Sequence, residues 1–139
     1  MTNFAKGFLA VIAFLGLSTA ALAETKAVYH VNDSAEASAA MRNIKNHLDA
    51  DPTAKIVVVT HSKGIDFLLE GATDKKGNPY NISVEELQAK GVDFRVCNNT
   101  LVSRKIDPKT VLPNAHIVPS GVAELAKLQA KEGFVYIKP

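Results

Sequence analysis

From residue 24 onward, the chain alternates short apolar runs with stretches in which apolar residues recur every three or four positions. The clearest run, Lys55 to Thr60, holds four consecutive β-branched apolar residues, which is typical of a strand buried on both faces of a parallel sheet. Similar runs predict further strands at 26–31, 92–97, 115–118 and 134–137.

Helical spacing and capping residues predict the elements between these strands. Four apolar residues share one helical face: Ala37, Met41, Ile44 and Leu48. Asp33 and Glu36 have capping-box spacing at the start of that helix. Ser83 and Glu86 have the same spacing and predict the start of a later helix, which Gly91 ends. Further helices are predicted at 65–69, 98–105 and 122–131.

Strands that alternate with helices predict an α/β fold with right-handed crossovers. We expect a single compact three-layer domain around a mainly parallel five-stranded sheet, of the flavodoxin or Rossmann-like kind. In such folds the functional site lies beyond the carboxyl ends of the strands. This rule selects polar loops that we expect at one edge of the sheet: 32–34, 61–64, 97–100 and 119–121.

Residues 1–23 have the layout of a secretory signal peptide. Lys6 precedes an apolar stretch, 8–17, that is too short to span a bilayer, and an A-x-A pattern of small residues precedes Glu24. We therefore predict cleavage after Ala23, with an uncleaved membrane anchor as the alternative. The mature domain would cover 24–139 and would be exported to the periplasm.

Composition limits the classes of partner. The 139-residue chain is 47% apolar and 22% charged with a formal net charge of +2, and loss of residues 1–23 would remove one lysine and leave 116 residues at +1. A near-neutral domain has no global field for nucleic acid or for an anionic membrane surface, so neither is an expected partner of the mature domain. A domain of this length also needs no disulfide or metal in order to fold.

Several common chemistries lack their motifs. The histidines are scattered and neither HExxH nor paired-cysteine spacing occurs, so no metal site is predicted. The chain has no G-x-S-x-G elbow of a serine hydrolase. The glycine-rich nucleotide fingerprints are missing as well.

The single cysteine, Cys97, lies between a predicted strand and a predicted helix. Free N–H groups and the helix dipole at such a junction stabilise a thiolate, so Cys97 is the candidate nucleophile. The alternative is a buried core thiol, because free cysteine is among the most buried residue types. An intermolecular link is the third option, since no second cysteine is present.

Other loop residues are candidate binding groups around the thiol. His61 would act as a base or charge partner, or as a hydrogen-bonded structural group. Arg104, two helical turns after Cys97, would attract an anionic persulfide or a partner's acidic surface, or simply pair with a carboxylate. Ser120 and the N–H of Gly121 offer an anion contact or an ordinary helix cap. Asn98 is included because it directly follows the cysteine.

Four segments together resemble the DsrE/DsrF-like family, and they cover nearly the whole mature chain. They are 28–33 (VYHVND), 56–64 with its Thr60-His61 step, 94–101 (FRVCNNTL) with Arg104, and 117–122 (IVPSGV). The resemblance implies a compact α/β fold, assembly as a homotrimer or homohexamer, and sulfur-relay chemistry without a cofactor. In the relay subunits a cysteine after a strand accepts sulfane sulfur as a persulfide and passes it to a partner's cysteine.

Cys97 occupies the position of that family cysteine, and Arg104 matches an arginine that follows it at similar spacing. The relay subunits have small residues and an Arg-Gly step in this stretch, where the present chain has Asn98-Asn99-Thr100 and Arg104-Lys105. Those subunits are also cytoplasmic. The leading hypothesis is a periplasmic sulfur carrier that works with a sulfur donor and a thiol acceptor. The alternative is a noncatalytic oligomeric module that binds a small anion or a protein, and a purely structural oligomer is the third reading.

Overall fold

Parallel strands form one sheet in the described part of the chain, residues 23–139 of a computed structural model. Its five strands are β1 (Lys26–Val31), β2 (Lys55–Thr60), β3 (Asp93–Cys97), β4 (His116–Val118) and β5 (Val135–Ile137). They lie in the order β4-β3-β2-β1-β5, and every neighbouring pair is parallel. The sheet prediction is thereby confirmed, whereas the predicted signal peptide, apart from Ala23, lies outside the described residues.

Within the same residues the α-helices are α1 (Ala37–Ala50), α2 (Tyr80–Ala89), α3 (Asn98–Ser103) and α4 (Gly121–Glu132). Shorter 3-10 helices cover Ser34–Glu36, Ser62–Leu68 and Pro108–Thr110. None of the helices in the described range is long and apolar enough to cross a membrane.

The connections place the helices on two faces of the sheet. The chain runs outward from β1 through β2 and β3 to β4, and then returns past the whole sheet so that β5 pairs with β1. Because parallel crossovers are right-handed, this reversal puts α4 on the face opposite α1 and α2. The core divides accordingly: Ile44 of α1 belongs to the same buried cluster as Val58, whereas Leu128 of α4 belongs to a second cluster with Val59. The result is the expected three-layer arrangement.

The start of α2 differs from the expectation drawn from Ser83 and Glu86. The helix begins at Tyr80, directly after Pro79, whose extended backbone (φ −70°, ψ 134°) serves as its N-cap. Tyr80 is buried and its ring lies edge-on to Phe67 at 5.7 Å between centroids. Tertiary packing of the tyrosine therefore sets the start of α2, and Ser83 lies inside the helix.

The segment after β2 also departs from the predicted α-helix at 65–69. It forms a 3-10 helix over Ser62–Leu68, which ends at Leu69 in an extended conformation (φ −101°, ψ 149°). Ile65, Phe67 and Leu68 are buried, so this short segment contributes to the core on the α1 side of the sheet. The start of this 3-10 helix, just after His61, lies next to the end of β1.

Candidate functional site

Three strand ends meet at the carboxyl edge of the sheet. His61 follows β2, Cys97 ends β3, and Gly121 begins α4 just after β4. A β-carbon on Gly121 would lie 3.1 Å from Cβ of His61, 3.2 Å from Cβ of Cys97 and 3.2 Å from the carbonyl oxygen of Thr60. Because Gly121 has no side chain, the first turn of α4 approaches both residues closely. The fold thus brings together Cys97, His61 and Gly121, as the loop positions predicted.

Cys97 lies where the first turn of α4 approaches the end of β3, and the residue is only 4% exposed. Burial raises the pKa of its thiol, but the backbone N–H of Gly121, the Thr100 hydroxyl and the N–H groups of Thr100 and Asn99, which lie near the sulfur, lower the pKa by more than burial raises it. The net result is a pKa below the ordinary value of a cysteine thiol. These donors favour the thiolate, which is the nucleophilic form of the residue.

Arg104 lies at the carboxyl end of α3 and is engaged by groups other than the thiol. Its Nη1 donates to Oδ1 of Asp66 at 2.6 Å and to the carbonyl oxygen of Ser62 at 3.0 Å. The arginine therefore ties α3 to the 3-10 helix after β2. This arrangement corresponds to the carboxylate pairing that the sequence left open as the alternative to persulfide binding.

Ser120 and Asn98 lie at the same edge of the sheet but have different surroundings. The Ser120 hydroxyl accepts a hydrogen bond from the N–H of Ala123 at 3.4 Å, so it caps α4. Asn98 is the first residue of α3 and is half-buried, and its side chain makes no hydrogen bond to the residues that the structure describes. A ligand-binding role for either side chain stays a prediction.

A pair of histidines lies next to this site, and only one of them was singled out from the sequence. Nε2 of His30, on β1, is 2.7 Å from Nε2 of His61. Nδ1 of His30 hydrogen-bonds the hydroxyl of Tyr136 at 2.7 Å, and Nδ1 of His61 hydrogen-bonds Oγ of Ser62 at 2.9 Å. The feature of the sequence that could have identified His30 is strand alternation, because it places His30 near the carboxyl end of β1 on the same face as Val28.

The two imidazoles share a single hydrogen, since one Nε2 must donate and the other must accept. Burial, the charge of His61 and the charge of Lys138 lower the pKa of His30 from 6.5 to about 4, against a smaller opposing effect of Glu36. Burial and Lys138 also lower the pKa of His61. The pair is therefore neutral near pH 7 and stays hydrogen-bonded.

This pKa shift makes the stability of the fold depend on pH. The unfolded chain binds a proton on His30 below about pH 6.5, whereas the folded chain binds it only near pH 4. We expect the free energy of unfolding to fall as the pH drops from 6.5 towards 4. Urea unfolding at a series of pH values measures this slope.

The variant His30→Gln should flatten the slope, because glutamine can keep a hydrogen bond to His61 without titrating. Asn46→Gln, an exposed substitution on α1 that changes no titrating group, is the control and should keep the slope. A His30→Gln variant with the wild-type slope would contradict the assignment.

A separate cleft of about 680 Å³ opens between the start of α1 and the loop that precedes α2. The predicted loop after β1 contributes Asp33 and Ser34 to its lining, whereas none of the individual candidate residues lines it: Cys97, His61, Asn98, Arg104, Ser120 and Gly121. Its carboxylates are held within the protein: Asp33 by the N–H of Ala35, Asp74 by Asn78, and Asp66 by Arg104. Cationic side chains also line it, at Arg42, Lys75 and Lys76, and these make no ion pair within the described range. The cleft therefore adjoins the sheet edge through the loop after β1, but it includes neither the thiol nor the histidine pair.

Comparisons with known proteins agree with the fold and with the four sequence segments. The family model described as the DsrE/DsrF-like family matches residues 11–139. The solved structure of MTH1491, a protein of unknown function from Methanobacterium thermoautotrophicum, is similar with a TM-score of 0.74 and 28% identity, over 84% of this chain and 100% of that one. The YchN protein from E. coli is similar in fold, with a TM-score of 0.69 and 16% identity over 84% and 100% of the respective chains. No curated protein matches the sequence.

Proposed function

The chain belongs to the DsrE/DsrF-like family, and from this membership we propose that it carries sulfane sulfur as a persulfide on Cys97. The observation that supports the proposal most directly is the position of Cys97, which is the N-cap of α3 and lies against the first turn of α4, where nearby N–H groups lower the pKa of the thiol despite its burial. A core cysteine with a purely packing role needs no such donors.

The proposed transfer is an exchange between sulfur atoms and needs no external oxidant. The Cys97 thiolate attacks the terminal sulfur of a donor R–S–SH, a new S–S bond forms, and the old S–S bond breaks with its electron pair leaving on R–S⁻. An acceptor thiolate then attacks the outer sulfur of the Cys97 persulfide and displaces the Cys97 thiolate. The N–H of Gly121 and the Thr100 hydroxyl stabilise the thiolate form of Cys97. They therefore favour both steps, because Cys97 is a thiolate when it attacks the donor and again when the acceptor displaces it.

The proposal also includes the compartment in which the protein works, its oligomeric state and its partners. The signal-like segment at residues 1–23 supports export to the periplasm, with cleavage after Ala23. Family membership supports a homo-oligomer, a trimer or hexamer, that works with a sulfur-donor protein and a thiol-acceptor protein. The intact mass of protein isolated from its own cell envelope without reductant tests cleavage and sulfur loading together.

The chemical proposal is tested by loading the purified protein with inorganic polysulfide. We expect intact mass spectrometry to show the gain of one sulfur atom, reversed by dithiothreitol, and complete loss of this gain in Cys97→Ser. Ala126→Ser, an exposed substitution on α4, is the matched control and should load like the wild type. If native Cys97 gains no sulfur and reacts with alkylating agents only after denaturation, the proposal is wrong.

A second candidate function is a binding module for a small anion, and the cationic lining of the cleft favours it. Arg42, Lys75 and Lys76 face a cavity whose carboxylates are already hydrogen-bonded within the protein. Under this alternative, inorganic phosphate would raise the melting temperature of Cys97→Ser as much as that of the wild type. The same anion would stabilise Arg42→Gln less.

A further inference from the structure

Ser62 has a backbone conformation that non-glycine residues rarely adopt. It lies between His61 and the rest of the 3-10 helix with φ of 54°, in the left-handed region. Such a conformation is unfavourable for an L-residue and persists only where the surroundings hold it.

Every polar group of Ser62 has a partner. Its Oγ hydrogen-bonds Nδ1 of His61 at 2.9 Å, and its carbonyl oxygen accepts from Nη1 of Arg104 at 3.0 Å. Its N–H donates to Oγ1 of Thr100 at 2.9 Å. Ser62 thereby links three groups: His61 of the histidine pair, Arg104 just after α3, and Thr100 in the first turn of α3.

The bond to Thr100 bears directly on the thiol. Cys97 is the N-cap of α3 and Thr100 lies three residues later, at the position from which a side chain reaches back to the cap. Because Oγ1 of Thr100 accepts the Ser62 N–H, the hydroxyl hydrogen of Thr100 is available to donate to the Cys97 sulfur. Thr100 is buried, so bulk water does not compete strongly for that hydrogen.

The histidine pair supports Ser62 from the other side. His61 is held by His30 at 2.7 Å, and His30 by the hydroxyl of Tyr136 at 2.7 Å. Tyr136 is 45% exposed on β5, an edge strand of the sheet. A continuous set of contacts thus runs from the surface of β5 to Ser62, and through Thr100 to Cys97.

We propose that Ser62 is a positioning residue for Cys97: held in its left-handed conformation by His61 and Arg104, it directs the Thr100 hydroxyl at the sulfur. The inference rests on the proposed function of Cys97. Ser62 itself does not touch the reacting atoms. Its effect is to keep one donor aligned on the thiolate while sulfur is accepted and released.

The test measures how fast iodoacetamide alkylates Cys97 across a pH series, in the purified, folded protein, with sulfur uptake from inorganic polysulfide recorded in parallel. Thr100→Val should move the midpoint of the alkylation profile upward by about half a pH unit, and Thr100→Ser should restore it. Ser62→Ala should move the midpoint in the same direction. The double variant Ser62→Ala/Thr100→Val should shift no further than Thr100→Val, because both changes remove one donor.

Two further variants keep the result interpretable. Ser62→Gly permits the left-handed backbone without enforcing it and loses the same tie to His61, so its N–H is no longer held on Thr100; it replaces Ser62→Ala if that variant does not fold. Val102→Ala shortens an exposed side chain on the same helix and should leave the profile unchanged. If Thr100→Ser restores the midpoint of the alkylation profile, the shift in Thr100→Val comes from the lost hydroxyl and not from lost packing.

Each outcome has a distinct meaning. If Thr100→Val shifts the profile while Ser62→Ala and Ser62→Gly leave it at the wild-type position, Ser62 has no positioning role and the inference is overturned. Shifts that add in the double variant overturn it as well. If the profiles shift as expected but wild-type protein takes up no sulfur, the positioning role stands and the proposed sulfur-carrier function fails.

Discussion

Replacing Gly64 with alanine is expected to destabilise the fold by about 3 kcal/mol or more. A β-carbon on Gly64 would lie 2.0 Å from the carbonyl oxygen and 2.5 Å from the carbonyl carbon of Val31, and 2.7 Å from Cα of Asn32. These are backbone atoms, which cannot rotate away as a flexible side chain would. The N–H of Gly64 also donates to the carbonyl oxygens of Asn32 and His61, at 3.0 and 2.9 Å. The clash would therefore break the contact between the end of β1 and the 3-10 helix.

Urea unfolding followed by circular dichroism measures this effect, and Gly77→Ala serves as the matched control. Gly77 has φ of 84°, but nothing lies within 4 Å of the position of its β-carbon. Gly77→Ala should therefore lower the free energy of unfolding by only about 1 kcal/mol, because alanine is unfavourable in the left-handed conformation. A Gly64→Ala variant as stable as Gly77→Ala would contradict the close approach of these two segments.

The second large effect is expected at Arg95, where Arg95→Met should destabilise the fold by about 2 kcal/mol. Arg95 of β3 donates to Asp93 at 2.9 and 2.7 Å, and it forms an ion pair with Glu124 of α4. Glu124 is 9% exposed, so losing Arg95 would leave a buried carboxylate with only the more distant Lys127, at 3.9 Å, as a cation partner among the described residues. The figure is below that of a fully buried pair, because the Arg95 side chain is 20% exposed and partly screened by solvent.

A double variant tests the cause of this loss. Arg95→Met/Glu124→Leu removes the uncompensated carboxylate together with the arginine, and it should recover most of the lost free energy of unfolding. Lys45→Met, which breaks the exposed pair with Asp49 on α1, is the control and should cost less than about 0.5 kcal/mol. A double variant that is less stable than Arg95→Met would show that packing, and not the buried charge, explains the effect.

The Arg95 ion pair also has a consequence for the site. Arg95 lies two residues before Cys97 on the same face of β3, and Glu124 lies one turn after Gly121. The pair therefore fixes the first turn of α4 over the end of β3, where the N–H of Gly121 meets the thiol. We expect that loss of this pair would loosen the alignment of that donor.

Much of the fold could be predicted from the pattern of the chain. The run of β-branched residues in β2 and the spacing of Ala37, Ile44 and Leu48 in α1 are local features that indicate a strand and a helix directly. The alternation of strands with helices also explains why His61, Cys97 and Gly121 lie at one edge. The start of α2 was predicted wrongly because the burial of Tyr80 against Phe67 depends on tertiary packing with a segment outside the helix.

The sequence by itself determined the α/β class, the order of the strands along the chain, the family resemblance, and Cys97 as the candidate nucleophile. Only the tertiary structure decided which side chains meet: His30 with His61, Arg104 with Asp66, and Ser62 with Thr100. Periodicity encodes which face of an element is buried, because that property is local to the element. Hydrogen-bond partners from different elements depend on strand order and on loop geometry, which no local pattern specifies.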